Sequence, residues 1–157
     1  MECIVFSDTH GNYPLALEAL TQSTPANIIF HLGDEADDAS MIENSCLKQI
    51  QKVAGNCDAP GKYPREISTL IGKTRVLLTH GDRYSVKSGL SKLVERAVAT
   101  NVDVVLYGHT HQASIDRING ILFVNPGALW SGSSCKSYAR LSVNPDGAEA
   151  RIVFLGE

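Results

Sequence analysis

Residues 2–20, ECIVFSDTHGNYPLALEAL, decide the architecture. Glu2–Phe6 is a short apolar run that stops at Ser7-Asp8, the form of a buried strand. Asn12 then precedes Tyr13-Pro14, with Leu15, Leu17, Ala19 and Leu20 following. That pattern fits a helix with Asn12 at its N-cap and Pro14 in its first turn. Between strand and helix lies Asp8-Thr9-His10, a pair of potential ligands at a strand's carboxyl end.

The same order recurs downstream. Asn27–Leu32 predicts a second buried strand, followed by Gly33-Asp34, and Asp37 to about Ile50 predicts a second helix. Gln51–Ala54 predicts a short third strand, followed by Gly55-Asn56-Cys57-Asp58. Arg65–Ile71 and Thr74–Thr79 flank the two-residue turn Gly72-Lys73, a hairpin signature, and lead into His80-Gly81-Asp82. Ser88 to about Ala99 places Leu90, Leu93, Val94 and Ala97 on one helical face. Val102–Tyr107 predicts a strand ending at Gly108-His109-Thr110-His111. Two hairpins finish the chain: Ser114–Ile118 with Ile121–Val124 across Asn119-Gly120, and Tyr138–Val143 with Glu149–Leu155 across Asn144–Gly147. Strand-helix alternation giving way to hairpins predicts an α/β chain of mixed α+β character, with two packed mixed sheets and helices outside them. The order of strands within the sheets stays open.

Composition bounds the function. The 157 residues suit one domain, 1–157, with one core. At 43% apolar and 20% charged residues the chain resembles ordinary globular proteins. No apolar run approaches the roughly 20 residues that span a bilayer. Glu2 stands where a secretory leader needs basic residues. The four cysteines show no C-x-x-C spacing and read as reduced thiols, so a cytoplasmic location is expected. Net charge is −3 and the basic residues are scattered, without the stripe that grips long nucleic acid. A small or locally exposed phosphate substrate is expected, with no bulk nucleic acid and no membrane as partner.

The five polar motifs each follow a predicted strand, with anchors spaced by roughly 20–30 residues, the length of strand-helix units. In sheets of that kind ligands bind beyond the carboxyl ends of the strands, so all five motifs are expected to face one crevice. Asp oxygens, neutral imidazoles and an Asn carbonyl suit Mn²⁺, Fe²⁺, Zn²⁺ or Co²⁺. Singly, Asp8 or Asp34 reads as a turn cap and Asn56 as turn chemistry. Together with four of the chain's five histidines, they read as a metal centre. His31 is the exception, a structural residue inside a predicted buried strand.

The ordered set D-x-H, G-D, G-N-x-D, H-G and G-H-T-H resembles the calcineurin-like metallophosphoesterase superfamily, and in particular its small YfcE-like phosphodiesterase branch. The resemblance runs from Cys3 to about Gly127 and includes Asn125-Pro126-Gly127. It implies a four-layer α/β/β/α sandwich. It also implies two divalent metal ions, with Mn²⁺ the leading candidate and Ni²⁺, Co²⁺, Fe²⁺ or Zn²⁺ as alternatives. Asp8, His10 and His111 would hold the first and Asn56, His80 and His109 the second, with Asp34 bridging. The implied reaction is phosphodiester hydrolysis by metal-activated hydroxide. Asp34, Asn56, Asp58, His80 and His109 would be its catalytic residues, Asp58 orienting or polarising groups near the leaving oxygen. A phosphomonoesterase using the same site, or a non-catalytic scaffold similar to the small retromer subunit, are the alternatives.

Two positions depart from the family pattern. Cys57 and Asp82 stand where many members carry histidine. A thiol is a weak substitute for a cationic imidazole, and Asp82 would repel a dianionic phosphate, so both changes favour diesters. Cys57 reads as a pocket-lining thiol rather than a nucleophile. Arg83 and Tyr84 read as solvated loop residues. Trp130 reads as a packing residue or as a contact in a homo-oligomer.

Overall fold

A computed structural model describes residues 1–156. Strands β1 (Glu2–Phe6), β2 (Ile28–His31) and β3 (Ile50–Lys52) run parallel, connected through helices α1 (Tyr13–Gln22) and α2 (Asp37–Cys46). The second sheet contains β4 (Glu66–Ile71), β5 (Thr74–Thr79), β6 (Val104–Leu106), β7 (Ser114–Ile118) and β8 (Ile121–Asn125). Helix α3 (Ser91–Ala99) crosses from β5 to β6. β9 (Lys136–Asn144) and β10 (Gly147–Leu155) return to the first sheet, whose order is β10-β9-β1-β2-β3. The order of the second is β4-β5-β6-β8-β7, with β5, β6 and β8 parallel.

Period-two alternation explains why two sheets stack and helices cover them. Cys3 and Val5 on β1 point between the sheets, where they meet a core containing Val76, Leu78, Val104, Leu106, Leu122 and Val124. Ile4 and Phe6 point the other way, onto Ala16, Ala19, Ala39 and Ile42 of α1 and α2. On the second sheet Leu77, Val105 and Phe123 face Leu93 and Ala97 of α3. The result is a four-layer α/β/β/α sandwich. A one-residue slip of β1 would exchange its two faces and break both cores together.

Several boundaries differ from the sequence-based expectation. α2 stops at Cys46 rather than near Ile50 because Leu47 turns left-handed (φ 56°) and its amide closes onto Glu43 O. That frees Ile50 to begin β3. α3 starts at Ser91 rather than Ser88, after a 3₁₀ turn over Val86–Ser88 and a break at Gly89, whose φ is 134°. Asn12 occupies the N-cap position of α1, but its side chain does not cap the helix. Its amide donates instead to Leu129 O at 2.7 Å. The four cysteines are free thiols, and no helix among the described residues is long and apolar enough to cross a membrane.

Candidate metal centre

The parallel strands β1, β2 and β3 of one sheet and β5 and β6 of the other deliver their following loops to one rim. Ladder bonds continue past the strand ends and draw these loops together. Asp8 N donates to Gly33 O at 2.9 Å, and Gly108 N donates to His80 O at 2.9 Å. The loops pack so closely that side chains would be excluded. A Cβ on Gly108 would collide with Ser7 Oγ and lie 2.8 Å from Asp8 Oδ2, and one on Gly55 would collide with Asp34.

Six of the seven proposed ligands meet there. One group comprises Asp8, His10, Asp34 and His111, and another comprises Asp34, His80 and His109; within each group one ligand atom per residue lies within 4.8 Å of the others. Asp34 belongs to both. Its Oδ2 is 3.6 Å from His10 Nε2 and 3.4 Å from His80 Nε2. Asn56 is exposed on the neighbouring loop, its amide nitrogen 3.6 Å from Cys57 Sγ. Asp8, His10, Asp34, His109 and His111 all have left-handed backbones, with φ between 43° and 70°. Each such residue costs about 1–2 kcal/mol, and strain of this kind concentrates at functional sites.

The donor set fits metal ions. Asp8 is fully buried, and its Oδ1 has no hydrogen-bond partner, although His111 Nε2 lies 3.0 Å away. A buried carboxylate oxygen left unpaired is costly unless a cation completes it. The other oxygen, Oδ2, accepts from Ser7 Oγ at 2.5 Å and from His109 N at 3.1 Å, which aims Oδ1 at the histidines. His80 Nδ1 donates to Leu32 O at 2.8 Å. That bond fixes the tautomer that leaves Nε2 with a free lone pair, directed at Asp34 and, at 3.1 Å, at His109 Nδ1.

Electrostatics follow from this crowding. Burial alone would raise the Asp8 and Asp34 carboxyls, but His111 and His80 beside Asp8, and His80 with the Cys57 amide beside Asp34, hold both below the usual range. Burial would lower His80, but Asp34 and Asp8 outweigh it and raise it. His109 is lowered, first by burial and then by the neighbouring His80.

Asp58 lies one step away. Its Oδ2 accepts from Asp34 N (2.9 Å) and Gly55 N (2.7 Å), and its Oδ1 from Ala36 N (2.8 Å). All its bonding goes to backbone amides, so it holds the backbone of Asp34 in position. Asp82 differs from expectation. It is ion-paired with Arg65, whose other nitrogen donates to Gly55 O at 3.0 Å, so its charge is neutralised rather than offered to a phosphate. Burial and the nearby Asp34 push the Cys57 thiol up to about 11, which keeps it protonated. Tyr84 is bonded to Glu66 and is a structural loop residue. His31 is buried within β2; its Nδ1 accepts from Gly33 N at 3.2 Å, leaving Nε2–H to face Thr9 Oγ1 at 2.9 Å.

Residues 1–146 match the calcineurin-like phosphoesterase superfamily domain. The chain belongs to that superfamily. It is 30% identical over 155 residues to the probable metallophosphoesterase YsnB of Bacillus subtilis, spanning 97% of this chain and 90% of the relative. It is also 28% identical over 145 residues to phosphodiesterase MJ0936 of Methanocaldococcus jannaschii, spanning 81% and 83%. Among solved structures, a predicted phosphoesterase from Streptococcus pneumoniae superposes with a TM-score of 0.77 at 26% identity, covering 97% of both chains. Zinc-complexed Vps29 from Entamoeba histolytica superposes with a TM-score of 0.77 at 18% identity, covering 98% and 99%, a likeness of fold.

Two features of the superfamily member's site are not legible in the sequence: which backbone amides Asp58 holds and the position of Trp130. The indole of Trp130 lies 5.6 Å from the His111 ring and 5.9 Å from the His10 ring. Its setting depends on the loop after β8 folding back onto β1, through Trp130 N donating to Asp8 O at 3.0 Å. Nothing in the sequence around Trp130 signals that long-range contact.

Proposed function

We propose that this protein is a metal-dependent phosphodiesterase that hydrolyses small phosphodiesters at two adjacent cation sites. The observation that carries the reading is the pair of donor groups sharing Asp34, built around the unpaired buried Oδ1 of Asp8. Asp8, His10 and His111 would hold one ion and His80, His109 and Asn56 the other, with Asp34 between them. When bound, such a metal pair neutralises phosphoryl oxygens and acidifies water for displacement at phosphorus.

The chain's own contribution is preorganisation. Leu32 O orients His80, Ser7 and the His109 amide orient Asp8, and Asp58 fixes the backbone of Asp34. Mixed oxygen and imidazole donors accept any of Mn²⁺, Fe²⁺, Co²⁺, Ni²⁺ and Zn²⁺, and Mn²⁺ is the activating ion proposed. Diesters are favoured over monoesters because the neutral Cys57 thiol brings no positive charge to balance the second negative charge of a monoester. With Asp82 neutralised by Arg65, Cys57 alone carries that preference. The name of the MJ0936 relative supports the same choice. A purely docking role of the Vps29 kind is disfavoured because six of the seven expected ligands converge in two groups that share Asp34. Free thiols and the absence of a basic stripe support a cytoplasmic protein acting on small molecules.

The test is a metal screen on chelator-treated protein, comparing bis-p-nitrophenyl phosphate with p-nitrophenyl phosphate. Mn²⁺-dependent turnover with the diester preferred is expected. No turnover with any ion, together with a melting temperature that ignores metal, would sink the reading.

A further inference from the structure

We propose that Trp130 is a specificity residue for this reaction: a fixed indole wall on which a planar aromatic group of the ester, such as a nucleobase, stacks. The inference rests on the phosphodiesterase reading and adds a substrate class to it.

Trp130 is the chain's single tryptophan and remains 41% exposed, whereas Ala128 and Leu129 just before it are fully buried. A tryptophan used for packing would be covered, and one idle at the surface would be loosely held. This one is neither. Its amide donates to Asp8 O at 3.0 Å, and Asn12 grips the preceding carbonyl at 2.7 Å. Ser133 N donates to Trp130 O at 2.9 Å, closing a turn that presses Gly132 onto the indole. A Cβ on Gly132 would lie 2.6 Å from Cζ2 and 2.8 Å from Cε2 and Cη2, so a side chain there would displace the ring. Backbone bonds and a glycine contact thus hold an exposed aromatic in one place.

That place borders the proposed ligands of the first ion. The indole meets His10 at an interplanar angle of 65° and His111 at 60°, so neither imidazole lies parallel upon it. A phosphoryl group held between His10 and His111 therefore has its ester substituent within reach of the indole. Planar substituents gain from stacking there, and a methyl group does not.

The test uses two diesters with the same leaving group, bis-p-nitrophenyl phosphate and methyl p-nitrophenyl phosphate, so that only the retained substituent changes. In W130A the aryl-over-methyl ratio of kcat/KM is expected to fall about tenfold or more, the scale of losing one stacked ring, while W130F keeps most of it. Equal losses on both substrates would overturn the proposal, since they mean that Trp130 only props the histidines; no loss on either would overturn it too. If the wild-type protein turns over neither diester, the phosphodiesterase reading is what has failed. Stacking is then decided on the wild type by fluorescence of the sole tryptophan. Quenching by adenosine 5′-monophosphate but not by ribose 5-phosphate supports it, and an equal response to both overturns it.

Discussion

The two ends of the sandwich build their turns from different residues. At the end away from the site, the three hairpins β4–β5, β7–β8 and β9–β10 place Gly72, Asn119, Gly120 and Gly147 at positive φ. Those residue types tolerate left-handed backbone at little cost. At the site end, Asp8, His10, Asp34, His109 and His111 occupy the same region of backbone space, and Asp8 and Asp34 are buried as well. The hairpins at one end are made of residues that suit their conformation, and the loops at the other combine left-handed backbone with buried charge. The difference teaches that strain and buried charge coincide only at the site rim; the far rim has strain of its own at the exposed Leu47 (φ 56°), but no buried carboxylate goes with it.

The comparison breaks most decisively at Asp34. D34N removes the carboxylate shared by both groups, and turnover should fall below detection while the fold is retained, as checked by diester assay and circular dichroism. Retained activity would remove the bridging role. Next, chelation should destabilise the protein by cancelling metal linkage of about 2.7 kcal/mol per site at 100 times the dissociation constant. Calorimetry should show a lower melting temperature that Mn²⁺ restores, and an unmoved transition would count against tight binding.

Third comes Gly108→Ala, in which the added methyl group meets Ser7 and Asp8 and costs about 3 kcal/mol or more in urea unfolding. A cost no larger than that of an exposed turn glycine would show that the rim is not close-packed.

The fourth effect is acid lability, and it belongs to the site end. Burial lowers His31 from 6.5 to about 4. The unfolded chain therefore takes a proton below about 6.5 that the folded chain refuses until about 4, and stability falls as pH drops through that window. Protonation would also turn His31 Nδ1 into a donor facing the Gly33 N–H. From pH 7 to pH 5 the loss is about 2 kcal/mol. H31Q, with no proton to gain, should flatten the pH slope by that amount in chelator-treated protein, whatever its stability at pH 7; an unchanged slope would rule His31 out. Smallest is Gly72→Ala at the opposite end, where a Cβ meets nothing within 4 Å and only φ (60°) opposes it. About 1 kcal/mol is expected, and a larger loss would blur the contrast between the two rims.

Much of this was readable in the chain. Strand β1, the Gly72-Lys73 and Asn119-Gly120 turns and the six Asp and His side chains that converge were legible, because each is a local pattern placed by strand ends. Helix ends were less legible: Leu47 terminates α2 although its apolar side chain suggests continuation, and it ends up 91% exposed. Strand order depends on pairings far apart in sequence, such as Cys3 with Leu141. The partners of Asp58, Asp82 and Trp130 were hidden for the same reason. Each residue is set by a partner from another loop (the Asp34 and Gly55 amides, Arg65 and Asp8 O), and no short motif records those meetings.

Asp8, His10 and Asp34 follow strands of one sheet, whereas His80, His109 and His111 follow strands of the other. Cations held among them would act as a rivet through both sheets at a single rim. A partly folded chain with only one sheet formed could not bind them with full affinity, so loading reports completed assembly of the whole sandwich. Amide exchange in the two sheets should then slow in step when metal is added, tying the fate of β5 and β6 to that of β1 and β2.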